Sequence, residues 1–349
     1  MMDISVFPSV FESTRAQLNG VSNSLLEGLK IEHNDESYII GDLALKEGLS
    51  PHRLINCAPG ELDFELLFRA ALLLAQQKAG NNFSLTLGFP FAMYQLHQNT
   101  AKQRLTKTFD IVYDSSTYRM NGASGKQALS VNLNQVFVVP EVAGSIIALR
   151  HGDVPETDDF FVVSLGYGSC EGVVSTKSGI IRRTAISTRG IRYAINLMED
   201  ELQKDHYLGF KTEHQLNVAF QKGKININKR TIDLTTLKQK VLRSYYSNIV
   251  RPALMNAFQD SDFETCNKLY VVGGGAYFGE LTNQIKSEFE GVLNVIVPDN
   301  PHTMAVRGYC INTQKQAQED VAVGVDMGNA NTLVCVSKQS AAEPSNTLE

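Results

Sequence analysis

The chain has 349 residues, of which 43% are hydrophobic and 20% are charged, and its formal net charge is -5. This length predicts two domains, and the composition is typical of a globular protein rather than a disordered one. The slightly negative charge, with no dense basic run, argues against direct binding of nucleic acid.

The cysteines and the apolar stretches restrict the class of protein further. The five cysteines are far apart and form no Cys-x-x-Cys pair, which argues against a disulfide framework and a structural zinc site. The first ten residues do not resemble a signal peptide, and the richest apolar stretch, 70–75, is short. The chain is therefore predicted to be a soluble cytoplasmic protein with no membrane association. The cysteines are Cys57, Cys170, Cys266, Cys310 and Cys335.

The first half of the chain alternates helical and strand patterns, which predicts an α/β architecture. Leucine and alanine at helical spacing over 62–74 predict a helix, and the alternating apolar residues of 83–89, which end at Pro90, predict a strand. Residues 20–34 and 151–159 are predicted to be loops.

Glu141 opens the next predicted helix, which continues through Leu149. A proline at the start and a glutamate in the first turn are favoured at any helix N-terminus. Glu141 therefore has an ordinary structural explanation beside the catalytic one considered below.

The second half continues the same alternation. A long helical pattern over 234–258 contains Pro252, which removes one intrahelical hydrogen bond and predicts a kink. The polar residues after Lys338 are predicted to form a loop. Four strands are predicted, at 160–165, 172–176, 269–272 and 292–297.

The most informative stretch is 321–336, where two apolar strands meet at a turn that begins with Asp326. Gly328, Asn329 and Asn331 tolerate left-handed backbone angles, so the turn can point several N–H groups into one concavity that holds phosphate oxygens. Asp326 could hold Mg²⁺ through its water shell. The same pattern also suits a plain β-hairpin with a polar turn.

A second, similar turn lies within 163–174. Gly166 follows Ser164 as Gly328 follows Asp326, which indicates a weak internal repeat. Two such hairpins on two similar domains could hold a nucleotide's phosphates from opposite sides of a cleft. Glycine-rich turns are, however, common in proteins generally.

A third glycine segment, 273–275, lies between a predicted strand and a helical pattern that runs through Phe289. This order would place backbone N–H groups at a helix N-terminus, with no Cβ atoms to obstruct a ligand. The segment does not match the dinucleotide fingerprint G-x-G-x-x-G, and the chain has no P-loop motif.

Together these segments resemble the superfamily of actin, sugar kinases and heat-shock chaperones, and most closely its bacterial actin-like branch of plasmid-partition ParM proteins. The resemblance implies an α/β, actin-like fold of two related domains with a nucleotide cleft between them. Its motifs cover nearly the whole chain, as I-S-V-F-P-S at 4–9, I-I-G-D at 39–42, L-T-L-G-F-P at 85–90, V-P-E at 139–141 and V-V-G-G-G-A at 271–276.

The order of the motifs departs from the family in one respect. In the family the D-x-G hairpin is the first element, whereas here it is the last, so the resemblance implies a circular permutation in which residues 314–320 bridge the ordinary ends. Chain ends that lie close together at a domain surface permit this rearrangement. The implied domains are 1–139 with 309–349, which carries the phosphate hairpin, and 140–308.

The resemblance also implies ATP or GTP with Mg²⁺ in the cleft. By this resemblance Glu141 orients the attacking water, Asp326 serves catalysis and the metal, and Glu213 binds the ribose. Ser164 replaces a family aspartate, which implies slow hydrolysis with nucleotide binding retained, and Glu171 is the nearest acid that could replace it. The other implied cofactor-binding residues are Gly328, Asn329, Asn331 and Thr332 of the first hairpin, Gly166, Tyr167, Gly168 and Ser169 of the second, and Gly273, Gly274 and Gly275 of the adenosine motif.

The implied function is self-association into nucleotide-dependent filaments, for plasmid segregation through a DNA-binding adaptor. Two alternatives stay open: a small-molecule kinase of the same superfamily, and a non-hydrolysing nucleotide-gated scaffold, which Ser164 makes plausible. The short chain and the ParM-like motifs at 4–9 and 139–141 favour the filament former.

Overall fold

The computed structural model describes residues 2–53, 58–118, 125–208 and 211–338. Cys57 and the tail after Lys338 lie outside the described residues. The strands are β1 (Met2–Pro8), β2 (Val10–Ser13), β3 (Lys30–His33), β4 (Glu36–Ile40), β5 (His52–Arg53), β6 (Asn82–Phe89), β7 (Thr108–Asp114), β8 (Lys126–Pro140), β9 (Phe160–Leu165), β10 (Ser169–Thr176), β11 (Gly179–Arg189), β12 (Lys224–Ile227), β13 (Arg230–Asp233), β14 (Lys268–Val272), β15 (Asn294–Ile296), β16 (Val321–Met327) and β17 (Asn331–Lys338).

The helices lie between these strands and pack on the sheets. They are α1 (Asp42–Glu47), α2 (Leu62–Ala79), α3 (Phe91–Leu105), α4 (Glu141–His151), α5 (Arg192–Gln203), α6 (Glu213–Lys222), α7 (Thr235–Tyr245), α8 (Arg251–Ala257), α9 (Asp260–Thr265), α10 (Gly279–Glu288) and α11 (Met304–Ala317). Among the residues described, no helix is long and apolar enough to cross a membrane.

Two main sheets organise the chain. The larger has the strand order β1-β17-β16-β6-β8-β7-β3-β4-β2-β5, and the smaller has the order β11-β10-β9-β14-β15. Strands β12 and β13 form a separate hairpin. The β16–β17 hairpin lies inside the larger sheet, because β17 pairs antiparallel with β1 while β16 pairs parallel with β6. The mixture of parallel strands and helices confirms the predicted α/β class.

Each sheet has its own hydrophobic core. Helix α2 packs on the larger sheet, where the ring of Phe68 lies 5.5 Å from that of Phe64 and 5.5 Å from that of Phe109. In the smaller sheet all six residues of β9 are buried, and the ring of Phe161 lies 4.7 Å from that of Phe258. A strand buried on both faces reads as the continuous apolar run seen in β9.

The chain passes from one sheet to the other twice, through α4 after β8 and through α11 before β16. The two helices touch at Gly144 and Gly308. A Cβ atom on Gly308 would overlap the carbonyl oxygen of Gly144, and a Cβ atom on Gly144 would overlap the ring of Tyr309, so both positions need the smallest residue.

Several element predictions need correction. Residues 20–34 are not all loop, since Lys30–His33 forms β3 between β4 and β7. The three glycines do not begin a helix directly, because Gly274–Tyr277 forms a 3₁₀ turn and α10 starts at Gly279. The irregularity predicted at Pro252 is present as a π turn over Tyr246–Val250, just before the proline.

Candidate functional site

A cleft of about 840 Å³ lies between the two sheets, where the parallel strands β6, β8 and β14 end. Ligands of open α/β sheets bind at this edge, outside the carboxyl ends of the strands. Of the predicted site residues, Thr332 and Glu213 do not line the cleft. The residues that do are Glu141, Gly166, Tyr167, Gly168, Ser169, Gly273, Gly274, Gly275, Asp326, Gly328, Asn329 and Asn331.

The β9–β10 turn presents backbone N–H groups to the cleft. The carbonyls of Gly166, Tyr167 and Gly168 accept hydrogen bonds of 2.9–3.0 Å from the N–H groups of Ile191, Arg192 and Gly190. The C=O and the next N–H point in opposite directions across a trans peptide. The N–H groups of residues 167–169 therefore face away from α5, towards the cleft that these residues line.

Gly190, between β11 and α5, supports this turn and is not predicted by the sequence analysis. A Cβ atom there would lie 2.6 Å from the carbonyl oxygen of Gly166 and 2.7 Å from the nitrogen of Ser169. The glycine lets the start of α5 approach the turn closely enough to hold its carbonyls. Its distance in sequence from the turn hides this role.

The β16–β17 turn is held in a comparable way by Ser9, which is fully buried at the end of β1. The Ser9 hydroxyl donates to the carbonyl of Gly328 at 2.6 Å and lies 2.9 Å from the hydroxyl of Thr332, while the Ser9 N–H donates to the carbonyl of Ala330 at 3.0 Å. Thr332 is therefore a buried support of the turn. The carbonyls held by Ser9 leave the N–H groups of Asn329 and Asn331 on the opposite side.

The two turns face each other across the cleft. A Cβ atom on Gly168 would overlap the side-chain oxygen of Asn329. The larger sheet supplies Asn329 and the smaller sheet supplies Gly168. The predicted pair of opposed hairpins is thus present in the fold as two turns in near contact.

Three acidic residues form a cluster at the cleft: Glu141 and Asp326 line it, and Glu171 is buried nearby. Burial raises the pKa of Asp326 to about 7, and burial together with the charges of Glu171 and Asp326 raises the pKa of Glu141 well above its usual range. Like charges that share a desolvated site disfavour ionisation, and a bound cation reverses this effect. A cation bound beside these acids would therefore favour their ionised forms.

The donor set fits a hydrated Mg²⁺ rather than a metal enclosed by protein ligands. Among the described residues, no group of three or more His, Cys, Asp or Glu side chains is arranged to hold a metal ion. Mg²⁺ usually keeps several waters and takes one or two carboxylates together with substrate phosphates. Asp326 beside two turns of N–H groups matches that pattern.

Glu171 is fully buried and engaged by two helices. Its carboxylate accepts hydrogen bonds from the N–H groups of Phe91 at 2.5 Å and Val142 at 3.2 Å, in the first turns of α3 and α4. Ser164 is its direct partner across the β9–β10 ladder. Glu171 thus lies next to Ser164, but its two oxygens already stabilise helix N-termini.

Glu213 is the first residue of α6, and its side chain is turned towards the β9–β10 turn. Its carboxylate accepts hydrogen bonds from Nη2 of Arg192 at 3.1 Å and from the hydroxyl of Tyr167 at 2.8 Å, and it forms an ion pair with Nε of Arg192 at 2.9 Å. These contacts place Glu213 beneath the cleft wall, next to a residue that lines it.

The glycine segment 273–275 lies where β14 meets β9. Gly273 has φ 84°, and a Cβ atom on it would lie 2.7 Å from the carbonyl oxygen of Leu165, whereas Gly274 faces open space. Three further cleft residues that the sequence analysis missed are Asn217, Gln221 and Lys238. They stand on α6 and α7, and no local motif marks them.

Comparisons with known proteins identify this architecture. Residues 2–144 match the family model for the N-terminal domain of actin-like proteins. The non-polymerisable quadruple mutant of pCBH ParM is similar, with a TM-score of 0.71, 17% identity, and coverage of 88% of this chain and 92% of that one. The chain has an actin-like fold.

Two other solved structures share this actin-like fold. The ParM of a 15-stranded filament from Clostridium botulinum has a TM-score of 0.69 and 16% identity, and covers 88% of this chain and 92% of its own. An archaeal actin homologue in complex with ADP has a TM-score of 0.65 and 14% identity, with coverage of 89% and 92%. No curated protein matches the sequence. The predicted resemblance to ParM-like bacterial actins is confirmed.

Proposed function

We propose that this actin-like chain binds ATP or GTP with Mg²⁺ in the cleft and assembles into nucleotide-dependent filaments. The observation that carries the proposal is the pair of opposed turns at the cleft, whose carbonyls are held from behind by Ser9 and by the start of α5. Similar structures include a ParM filament and an ADP complex, which supports both parts of the proposal.

Within this proposal the residues divide by chemistry. The backbone of Gly328, Asn329 and Asn331 and the backbone of 166–169 bind phosphate oxygens, and Asp326 binds the metal through water. Gly273, Gly274 and Gly275 accommodate the nucleoside, because side chains there would occupy its space or strike β9. Thr332 supports the first turn, and Glu213 supports the second through Tyr167.

Mg²⁺, when bound, would neutralise charge that develops on the transferred phosphoryl group. Glu141 would orient the attacking water and accept a hydrogen bond from it, since it lines the cleft near the second turn. Ser164 supplies a hydroxyl where a carboxylate would add one negative charge beside the metal. We propose that hydrolysis is slow for this reason.

The test is assembly with ATP and with GTP, each with and without Mg²⁺, measured by sedimentation and electron microscopy. We expect filaments with at least one nucleotide and none with EDTA. Asp326→Ala should abolish the assembly that depends on Mg²⁺. The matched control Asp320→Ala, which removes an exposed acid six residues earlier, should assemble as the parent does. Protein that neither pellets nor shows a thermal shift with either nucleotide would refute the proposal.

A kinase is the second candidate, because the cleft continues past the two turns. Pro90, Met93 and His97 of the α3 region line this extension, which leaves room for a phosphate acceptor. A screen of sugars and small acids for Mg²⁺-dependent phosphorylation, made with the same protein, separates the two candidates. Turnover of one acceptor without assembly would favour the kinase.

We further propose that the chain is a circular permutation of the ParM order, with domains 1–139 plus 309–349 and 140–308. The strand order supports this, since the β16–β17 hairpin lies between β1 and β6, and Met2 pairs with Ser337. Moving residues 321–338 in front of Met2 through a short turn should give a protein that folds and binds nucleotide equally well. We propose a DNA-binding adaptor and plasmid segregation as the cellular context, which co-purification from the source cell would test.

A further inference from the structure

Arg53 on β5 contacts both sides of the cleft. Its Nη1 donates to the carbonyl oxygens of Asn329 at 3.0 Å and Ala330 at 3.4 Å, in the β16–β17 turn. Its Nη2 lies 2.9 Å from Nδ1 of His214, on α6. Helix α6 belongs to the half of the molecule built on the smaller sheet, whereas Arg53 belongs to the half built on the larger sheet. One guanidinium therefore joins the first turn to the second half of the fold.

The same guanidinium lies over a residue of the second turn. The Arg53 Cζ is 5.1 Å from the centre of the Tyr167 ring, a distance at which a cation is attracted to the face of an aromatic ring. The Tyr167 hydroxyl donates to Glu213, the residue before His214. Arg53 thus contacts both turns to which the proposed function assigns phosphate binding, and the residue that follows Glu213.

Arg53 is 93% buried, since 7% of its surface is exposed. Burial and the neighbouring Arg53 lower the pKa of His214 to about 4, so the imidazole is neutral at pH 7 and Nδ1 can accept a hydrogen bond. A buried cation is costly unless its donors are engaged. Opening of the cleft would separate Arg53 from His214 and Tyr167 and remove these compensating contacts.

We propose that Arg53 is a clasp across the cleft: a positioning residue that holds the two halves together and retards release of a bound nucleotide. The role in retention rests on the proposed function, whereas the role in closure does not. Arg53 does not line the cleft, so it acts through the turns it holds. Its fork geometry suits it to two carbonyls and an imidazole at once, which a lysine ammonium cannot reproduce.

The first experiment measures closure without nucleotide. Spin labels are attached at Gln17→Cys and Arg230→Cys, two exposed positions in different halves, and report the distance between the halves. Every protein in the experiment also carries Cys57→Ser. We expect one short, narrow distribution for the parent and a longer, broader one for Arg53→Ala, Arg53→Lys and His214→Ala. The control Arg15→Ala removes an exposed arginine from the same half and should match the parent.

The second experiment measures nucleotide release with a fluorescent ADP analogue in stopped flow. We expect release to be about tenfold faster in Arg53→Ala and in His214→Ala. The double variant should be no faster than Arg53→Ala, because both substitutions remove the same crossing hydrogen bond. Additive effects would show that the two residues act separately and would overturn the clasp.

The two experiments separate the possible failures. His214→Ala leaves the Arg53 contacts to the turn in place, so it tests closure even if Arg53→Ala does not fold. Unchanged distance distributions in both single variants would overturn the clasp, whatever the nucleotide does. Altered distributions in a protein that binds no nucleotide would retain the clasp in closure and refute the proposed function.

Discussion

Replacing Gly308 with alanine tests whether the contact between α4 and α11 determines how the larger and the smaller sheet are joined. The added Cβ would overlap the carbonyl oxygen of Gly144 and lie 3.0 Å from the Cα of Gly144. The obstructing atoms are backbone, so no side-chain rotation relieves the overlap and one helix must move. Overpacking of this kind costs typically about 1–3 kcal/mol.

Alanine also favours a helix interior over glycine by about 1 kcal/mol, which offsets part of this cost. With an overlap onto backbone we take the upper end of the overpacking range, so the expected net destabilisation is about 2 kcal/mol. The measurement is the urea midpoint, with the slope of the transition checked for a change in cooperativity.

Gly279→Ala is the matched control. It makes the same chemical change at the first residue of α10, where an added Cβ meets nothing within 4 Å. We expect its stability to equal that of the parent or to exceed it slightly. If Gly308→Ala is as stable as Gly279→Ala, the close approach of the two connecting helices does not constrain the fold.

Three further predictions concern the site. Asp326→Asn should be more stable than the parent at pH 8 in EDTA but not near pH 4. Because folding raises the pKa of Asp326 from 3.8 to about 7, the parent loses stability as the pH rises between these values. Urea unfolding at both pH values checks this, and equal curves at pH 8 would contradict it. Ser9→Ala should cost about 1–3 kcal/mol, because it removes the buried hydrogen bonds to Gly328 and Thr332, and it should weaken nucleotide binding in titration calorimetry. Unchanged affinity would show that the turn keeps its shape without Ser9. Ser164→Asp should raise the single-turnover ATPase rate while nucleotide affinity changes by less than about tenfold. A rate that stays equal or falls would mean that the serine does not replace a metal-site acid.

The sequence predicts those parts of the site that are formed by consecutive residues. The hairpin over 321–336 has two apolar runs and a turn of small residues, so both its strands and its tip follow from local pattern. The same holds for the β9–β10 turn and for Glu141 at the start of α4. In each case the residues that make the structure are neighbours in the chain.

The residues that support the site cannot be predicted from local pattern, because they lie far in sequence from the residues that they hold. Arg53 and Asn329 are 276 residues apart, and Arg53 and His214 are 161 apart. Residues 30–33 form a strand because β4 and β7 supply its partners, although the segment itself looks like part of a loop. The glycines at 273–275 suggest a helix start, whereas the approach of Leu165 explains Gly273.

The placement of the β16–β17 hairpin between β1 and β6 has a consequence for synthesis. The ribosome makes β1 and β6 more than two hundred residues before the hairpin that separates them. Until residues 321–338 emerge, both strands lack a neighbour and expose unpaired backbone edges that favour wrong pairing. The larger sheet and its β16–β17 turn can therefore be completed only after the smaller sheet has been made. We expect the nascent chain to form the cleft between the two sheets last, in one late step.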